Sequence, residues 1–332
     1  MKRWELKDIK TMELVEDDSA QSLSDGYARV KITHVAINQA DVSAYMGRIN
    51  VSHPIVPTRI ATGLISEARG SRLNKGQRVL LSSYTKGDRN PPLFGIDKNG
   101  LLSEYVTVPI GAIYELASQD DDSFIDAGIK DVNALFVEDI ALAINVIADL
   151  KLEKTQYIVL MGASHINCII AELAIYYQAI PIIIDNDSDR LRVAADVGCY
   201  YVINTSEENA LQKVLEITSG KLSDTLAFDT DSFSNASEVC SYLKHGGRVC
   251  LFGHNPAPEK LLSNLAPIVK NQLVMIGETS AGGAIESAIN MLMNNIINVN
   301  SFIERTVSFD NAGETFNEMS SKGNYYKTVI KL

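Results

Sequence analysis

The sequence has few cysteines and no long apolar run, and both shortages exclude classes of protein. It contains 4 cysteines among 332 residues, none of them in a C-x-x-C arrangement, so neither a disulfide framework nor a cysteine-rich metal cage is expected. No stretch reaches the roughly 18 apolar residues that a membrane helix needs, and the first residues lack the apolar segment of a secretory signal. We therefore expect a cytoplasmic protein.

The chain also has fewer basic than acidic residues. The chain has 30 Lys and Arg against 41 Asp and Glu, which gives a formal net charge of −11. A negative surface repels nucleic acid phosphates and anionic membranes, so we expect neither as a partner. At roughly 100–200 residues per domain, the chain length suggests two domains.

The first part of the chain, to about residue 115, is rich in strand patterns. Residues 26–37 alternate apolar and polar side chains, and residues 60–68, 75–83 and 103–109 are also strand-like, with short connections between them. This pattern favours a β-barrel-like lobe. The tail from Ser301 returns to strand-like pieces and is predicted to rejoin this lobe.

The pattern changes after a polar break at residues 119–123. A helix is predicted over 131–150, and then apolar runs at 157–161 and 180–184 flank a helix-patterned stretch from 166 to 177. That is a β-α-β unit, and its fully apolar runs are typical of strands covered on both faces. Strands and helices continue to alternate, with one helix predicted over 234–243, so a doubly wound parallel sheet of six strands is predicted.

A nucleotide site is indicated where the first strand of this unit ends. In the dinucleotide fingerprint, three spaced glycines let the backbone approach a pyrophosphate at a helix N-terminus. Here Gly162 holds the first position, while Ser164 and Asn167 replace the second and third glycines. Serine is small enough to admit a phosphate, whereas Asn167 is predicted to thicken the helix–strand contact. Two readings stay open: the turn binds nucleotide, or it no longer does.

An acidic residue ends the second strand, 23 residues after Gly162. The carboxylate of Asp185 can accept hydrogen bonds from both ribose hydroxyls of NAD and repel the 2′-phosphate of NADP. Arg190 could stack on the adenine or offset that repulsion. We predict NAD as the cofactor, with NADP less favoured; the alternative is that Asp185 is a turn residue.

With these residues placed, the chain from about residue 26 to 332 resembles the medium-chain dehydrogenase/reductase family, in particular its quinone oxidoreductase and polyol dehydrogenase branches. The resemblance rests on the order and spacing of short segments. They are VAINQADVSAYMG (35–47), PIVPTRIATGLISE (54–67), KGQRV (75–79), NGLLSEYVTVP (99–109), VEDIALAINVI (137–147), the Gly162 unit, GGRVCLFG (246–253) and YYKTVIKL (325–332).

The resemblance implies an α/β fold with a GroES-like catalytic domain over 1–124, completed by 296–332, and a Rossmann domain over 125–295. It also implies a homodimer formed through the Rossmann sheets. Lys327 would reach the pyrophosphate from the tail. The residues that would line the cofactor site are Gly162, Ala163, Ser164, His165, Ile166, Asp185, Asn186, Arg190, Phe252, Gly253, His254, Ile276, Gly277 and Lys327.

The zinc ligands of the family are not matched here. Asn38 stands at the position of the usual cysteine, and Arg59 stands where a Gly-His-Glu motif has its histidine, so a cation would repel Zn²⁺. Glu138 keeps one oxygen ligand, and residues 80–105 hold no cysteine for a structural zinc. We predict no metal, and we hypothesise an ion pair between Arg59 and Glu138 in its place.

The remaining candidates for catalysis are polar residues of the predicted cleft. Arg59 is preferred because it would place a fixed cation where zinc polarises a carbonyl. Asn38, Tyr45, Tyr84 and Glu138 are further candidates, although packing is the alternative for each tyrosine.

Three functions stay open. The first is a zinc-independent reductase that transfers a hydride between NAD(H) and a carbonyl or activated double bond of a small-molecule substrate. The second is a non-catalytic Rossmann protein that binds a nucleotide or a partner. The third is a dehydrogenase of a specialised biosynthetic pathway that acts on a sugar or a carrier-bound intermediate.

Overall fold

The computed structural model describes residues 1–16, 22–85, 88, 90–116, 129–231, 239–253, 266–322 and 326–332. Its strands are β1 Lys2–Asp8, β2 Thr11–Glu16, β3 Tyr27–Ile37, β4 Ala61–Ala68, β5 Arg78–Leu81, β6 Tyr105–Pro109, β7 Ile113–Glu115, β8 Tyr157–Met161, β9 Ile180–Asp185, β10 Tyr201–Asn204, β11 Ser223–Asp229, β12 Leu243–Phe252, β13 Val274–Gly277, β14 Ile303–Ser308 and β15 Lys327–Lys331. Its α-helices are α1 Gln39–Tyr45, α2 Asp131–Ala134, α3 Val137–Leu150, α4 His165–Tyr176, α5 Ser188–Asp196, α6 Ala210–Ile217, α7 Ala266–Lys270, α8 Ile285–Met293 and α9 Ala312–Lys322.

The described residues form two compact units. The first comprises residues 1–138, 285–295 and 299–332, and the second comprises residues 139–284 and 296–298. The predicted boundary at 124/125 lies outside the described residues. The predicted boundary at 295/296 differs from this division, because α8 packs against α2 within the first unit.

The first unit is built on a seven-stranded sheet. Its strand order is β14-β15-β3-β4-β5-β7, and β6 pairs with the N-terminal part of β3. The long strand β3 alternates buried and more exposed positions, with Ala28, Val30 and Ile32 turned into the core. This is the period-2 pattern that the sequence shows, and it gives the sheet one apolar face.

The second unit is built on a six-stranded parallel sheet in the order β10-β9-β8-β11-β12-β13. The central strands β8, β9 and β11 are buried over nearly their whole length. The predicted α/β class, with a strand-rich unit and a Rossmann sheet of six parallel strands, is confirmed. The carboxyl ends of β8 and β11 lie side by side, which is where such sheets bind ligands.

Several local predictions need correction. The helix predicted over 131–150 is two helices, α2 and α3, because Leu135 and Phe136 form a turn between them. Of the helix predicted over 234–243, residues 232–238 lie outside the description, and Val239–Tyr242 form a 3-10 turn. The tail contains the helix α9 between its two strands, and the hairpin of β1 and β2 was not predicted.

Among the described residues, the structure contains no helix with both the length and the apolar character needed to cross a membrane.

Candidate active site

The turn between β8 and α4 begins with a glycine in the left-handed conformation. Gly162 adopts φ +93°, a left-handed conformation that side chains rarely accept, and its N–H donates to the Ile184 carbonyl at 2.8 Å. Ser164 is the N-cap of α4, and its hydroxyl accepts the Asn167 N–H at 3.2 Å. The N-terminus of α4, which carries a partial positive charge, therefore lies at the edge of the sheet.

Asn167 ties the helix to this turn. Its side chain is fully buried, and Nδ2 donates to the carbonyls of Met161 at 2.9 Å and Gly162 at 2.7 Å. Asn167, predicted to thicken the contact between helix and strand, therefore also bonds that strand end directly through its amide.

Asp185 ends β9 as predicted, but its carboxylate faces inward. The residue has no exposed surface, and Oδ2 accepts the Ala163 N–H at 2.6 Å. Oδ1 accepts the N–H groups of Asn186 at 2.7 Å and Asp187 at 2.9 Å, and the Arg190 guanidinium at 2.7 Å. In this structure the carboxylate is buried and accepts four hydrogen bonds, and its predicted role towards the ribose hydroxyls stays a prediction. Arg190 pairs with this carboxylate, and its predicted role towards the adenine or a 2′-phosphate stays a prediction.

Other predicted cofactor residues lie along the same unit. His165 opens α4, with Nε2 3.5 Å from Asp139 Oδ1, and Ile166 follows it. Phe252 ends β12 and is buried, while Ile276 and Gly277 end the neighbouring strand β13. His254 lies outside the described residues.

Gly253 has a steric reason to be glycine. Its φ is +113°, and a Cβ there would stand 2.4 Å from Thr230 Oγ1. Gly253, which follows β12, therefore lies close to Thr230 at the end of β11.

Lys327 belongs to the first unit, where its side chain is buried. Nζ donates to the Leu135 carbonyl at 2.7 Å and lies 4.7 Å from the centre of the Phe136 ring. Its role towards a pyrophosphate stays a prediction.

Sequence reasoning missed Asp229, which ends β11 beside the Gly162 turn. It is buried, and burial together with the neighbouring Asp231 carboxylate raises its pKa to about 6, although a hydrogen bond from the Ser164 side chain acts in the opposite direction. The signal that identified Asp185, an acid ending a buried strand, is present in TLAFDT as well. Asp229 therefore places a buried carboxyl group with a raised pKa at this edge of the sheet.

Strand register brings two of the predicted catalytic positions, Asn38 and Arg59, to one end of the first unit's sheet together with Ser82. Val35 in β3 pairs with Ala61 in β4, and Ala61 pairs with Leu81 in β5. Asn38 follows the end of β3, Arg59 precedes β4, and Ser82 follows β5, so all three lie at the same edge. The Asn38 N–H donates to the Asp41 carboxylate at 2.8 Å, which fixes the start of α1.

Glu138 joins this edge through Ser82. The Ser82 hydroxyl donates to Glu138 Oε1 at 2.6 Å, and Ser82 Oγ accepts the Tyr84 N–H at 3.2 Å. The Tyr114 hydroxyl donates to the Tyr84 carbonyl at 2.7 Å, and burial, aided by Glu286 and Glu138, raises the pKa of Tyr114 to about 12. The hypothesised ion pair between Arg59 and Glu138 stays a prediction.

Tyr45 packs in the core of the first unit, and its role as a catalytic donor stays a prediction. Its hydroxyl donates to the Lys10 carbonyl at 3.2 Å, and its ring packs against Phe316 with centroids 5.6 Å apart. The hydroxyl therefore bonds the β1–β2 turn in this structure.

Thr58, beside Arg59, has an unusual backbone. Its φ is +74°, which is a genuine outlier for a β-branched residue, and it is fully buried. Its hydroxyl oxygen has no hydrogen-bond partner among the described residues. Strain of this kind concentrates at functional sites, so Thr58 is a further candidate residue that sequence reasoning missed.

The residues at this edge do not suit a zinc ion. Within the described ranges, no group of three or more His, Cys, Asp or Glu side chains is placed to hold a metal. Asn38 and Arg59 are poor donors for Zn²⁺, which prefers thiolate, imidazole and carboxylate. In the second unit, by contrast, the left-handed Gly162 and the Ser164-capped helix suit the phosphates of a dinucleotide.

The chain matches two family profiles. Residues 24–118 match the alcohol dehydrogenase GroES-like domain, and residues 166–295 match the domain described as zinc-binding dehydrogenase. A zinc-type alcohol dehydrogenase-like protein from Haemophilus influenzae is 24% identical over 327 residues, which cover 92% of this chain and 91% of that protein.

Solved structures share the fold of the whole chain. An alcohol dehydrogenase from Escherichia coli CFT073, complexed with NADH, has a TM-score of 0.85 at 19% identity, covering 100% of this chain and 99% of that one. A zinc-binding dehydrogenase from Sinorhizobium meliloti 1021, bound to NADP, has a TM-score of 0.86 at 17% identity, with coverage of 100% and 99%.

Proposed function

Because this chain belongs to the medium-chain dehydrogenase/reductase family, we propose that it is a nicotinamide-dependent oxidoreductase that works without zinc. Its substrate would be a small molecule with a carbonyl group or an activated double bond. The dehydrogenase character of the family and the NADH- and NADP-bound proteins of the same fold support this proposal.

The observation that carries the proposal is the turn at Gly162. A left-handed glycine leads from a buried strand into a helix whose N-cap is Ser164, at the carboxyl edge of a parallel sheet. The N-terminal turn of α4 would hold the phosphates, because N–H groups and the helix dipole favour an anion. The small side chains of Ala163 and Ser164 would admit them.

The chain's own residues would bind and polarise the substrate. A bound nicotinamide supplies or accepts the hydride. Arg59 would donate hydrogen bonds to the substrate oxygen and stabilise the negative charge that develops there. The Thr58 hydroxyl, buried and without a partner among the described residues, could donate to the same oxygen or accept from a substrate hydroxyl.

The zinc-free part of the proposal rests on residue chemistry at Asn38 and Arg59. An amide and a guanidinium replace the ligands that a catalytic zinc requires. A fixed cation at Arg59 would polarise the substrate carbonyl in place of the metal. We expect chelation to leave activity unchanged and purified protein to contain far less than one zinc per chain. Loss of activity on chelation, restored by added zinc, would contradict this part.

The test of the proposal begins with binding. Fluorescence titration and thermal shift with NADH and NADPH report on the Gly162 turn, and a panel of carbonyl and enone substrates then reports turnover. Arg59→Met should lower kcat/KM by about 100-fold or more without weakening nucleotide binding, as removal of an electrostatic stabiliser does. The exposed Arg72→Met is the matched control and should leave kcat/KM unchanged.

The outcomes separate the candidate functions. Absence of binding to either nucleotide would overturn the proposal. Nucleotide binding without turnover of any substrate would favour the alternative, a non-catalytic nucleotide-binding protein.

We also propose that the chain is a homodimer formed through its Rossmann sheets. The strand β13 is an edge strand, and Val274 on it is 39% exposed. An exposed edge strand with apolar side chains favours pairing with another strand, and a second copy of this chain offers the same edge.

A further inference from the structure

We propose that binding of a nicotinamide dinucleotide at the Gly162 turn is coupled to the uptake of a proton by Asp229. The inference rests on the proposed function, since it assigns a pH dependence to the same binding site. It concerns a residue that the dinucleotide fingerprint does not include. As the dinucleotide binds, one proton would move from solvent to the Asp229 carboxylate, and the residues involved all belong to the second unit.

Asp229 lies directly beside the turn that would hold the phosphates. Phe228 pairs with Met161 in the parallel register of β11 and β8, so Asp229 lies level with Gly162. The Ser164 hydroxyl, which caps α4, donates a hydrogen bond to the Asp229 carboxylate. Asp229 is 2% exposed. A single side chain therefore joins this buried carboxyl group to the N-terminus of α4.

The charged groups nearest to Asp229 are more negative than positive. After the end of β11, the Asp231 N–H donates to Asp229 Oδ1 at 2.9 Å, and the Asp231 carboxylate raises the pKa of Asp229. On α4, the His165 imidazole acts on this pKa in the opposite direction. His165 Nε2 also lies 3.5 Å from Asp139 Oδ1 on α3, so its charge is shared with a further carboxylate.

The neighbouring strand ends do not reverse this balance of charge. After β12, the uncharged Gly253 lies against the carboxylate, where a Cβ would stand 3.2 Å from Asp229 Oδ1. On the far side of β8, Arg190 contacts Asp185 Oδ1 at 2.7 Å and lies 3.6 Å from Asp187 Oδ2. Arg190 is therefore shared between two carboxylates of its own, and the edge beside Asp229 stays acidic.

A phosphate held by the N-terminus of α4 would bring further negative charge close to this carboxyl group. Burial and the Asp231 carboxylate raise the pKa of Asp229 to about 6 in the free protein, so at pH 7 the group is mostly ionised. A like charge nearby disfavours the ionised form and raises the pKa further when the dinucleotide binds. Below pH 6 both states hold the proton, whereas above pH 6 only the bound state retains it. Binding therefore weakens as the pH rises above 6.

His165 is the other group near the turn that could give binding a pH dependence. Histidine side chains gain a proton near neutral pH, and a protonated imidazole at the start of α4 would attract a phosphate. Both groups therefore predict tighter binding in acid, and two variants separate them. Asp229→Asn removes the carboxylate but keeps an oxygen that can accept the Ser164 hydroxyl, and His165→Gln removes the imidazole charge.

The experiment measures the Kd for ADP-ribose, which carries the two phosphates without the nicotinamide ring, from pH 5.5 to pH 8. We expect the wild-type protein to bind about fivefold or more weakly at pH 8 than at pH 5.5. Asp229→Asn should bind at pH 8 as tightly as the wild type does at pH 5.5, with a Kd that changes less than about twofold over the range. The exposed Asp196→Asn on α5 is the matched control and should follow the wild type.

Proton uptake is also measured directly. Isothermal titration calorimetry at pH 7, in two buffers with different ionisation enthalpies, gives the number of protons taken up with each ADP-ribose. We expect roughly half a proton for the wild type and for His165→Gln, and less than about a tenth of a proton for Asp229→Asn. If Asp229→Asn does not fold, the wild type and His165→Gln still decide between the carboxyl group and the imidazole.

Two results would overturn the inference. The first is a wild-type Kd that does not change with pH, together with no uptake of protons. The second is a pH dependence that persists in Asp229→Asn and disappears in His165→Gln, which would assign the proton to the imidazole.

Failure of the proposed function gives a separate result. Binding of NADH with the same Kd at pH 6 and pH 8 leaves the proposed function in place and overturns only the proton uptake. If neither the wild type nor Asp229→Asn binds NADH or ADP-ribose at any pH, the function and the inference are both wrong.

Discussion

Thr58 is held in its left-handed conformation by glycines that pack against its backbone. A Cβ on Gly100 would lie 2.3 Å from the Thr58 carbonyl oxygen and 2.4 Å from that of Pro57. The N–H groups of Gly100 and Leu101 donate to carbonyls of residues 56–58. The segment before Arg59 is therefore fixed by close backbone contact as well as by its own sequence.

Gly100→Ala should lower the free energy of unfolding by about 1–3 kcal/mol, because the new methyl group meets backbone atoms that cannot rotate away. Gly111→Ala is the matched control, since its Cβ would meet only the Thr85 methyl group at 3.6 Å, which is an ordinary contact. Urea unfolding of both variants measures the difference. Equal midpoints for the two would contradict the steric account.

Helix α2 is joined to the sheet of the first unit through Asp131. Its carboxylate accepts from Arg78 Nη2 at 2.5 Å and from the Thr33 hydroxyl at 3.3 Å, and it lies 3.6 Å from His34 Nδ1. Burial by itself raises the pKa of Asp131, but the hydrogen bonds and charges of His34 and Arg78 outweigh burial and lower it to about 2. This helix leads directly to Glu138, so the contact also positions the candidate site.

Asp131→Asn should destabilise the protein by about 1–2 kcal/mol at pH 7. Because the folded pKa is depressed from 3.8 to about 2, the carboxylate's contribution is fully present above pH 4 to 5 and is lost as the pH falls towards 2. Thermal melting from pH 7 to pH 3 should therefore show a gap between wild type and variant that narrows with acid. A gap independent of pH would count against the ionic account, and the exposed Asp196→Asn should show no gap.

At the scale of the whole molecule, the edges of the six-stranded sheet set how copies of the chain can associate. The strand β10 forms one edge and β13 forms the other. Val274 on β13 is 39% exposed, and Tyr200, next to β10, is 85% exposed. Both edges therefore carry apolar surface, and our proposal places the dimer contact on the β13 side.

Val274→Lys should convert the proposed dimer into a monomer, because a charged side chain on an edge strand opposes strand pairing. Tyr200→Lys, at the opposite edge, should leave the dimer intact. Light scattering coupled to size exclusion measures the mass of both variants. A monomeric wild-type protein, or a Val274→Lys variant that stays dimeric, would contradict pairing through β13.

The sequence by itself determined the fold and the order of its parts. The alternation in β3 and the apolar runs of β8 and β9 are periodicities that local chemistry imposes, and the structure confirms the α/β class that they predict. The turn at Gly162 could also be predicted from the sequence, because only glycine readily accepts its backbone conformation.

Only the tertiary structure decided what the polar side chains do. The sequence placed Asp185 at a strand end, but its burial depends on Ala163 and Arg190, which approach it through the folded chain. Tyr45 was assigned to a cleft, and its hydroxyl bonds Lys10, 35 residues away. A periodic pattern records which face of an element is buried, whereas the partner of a polar group is set by contacts between elements that no local pattern encodes.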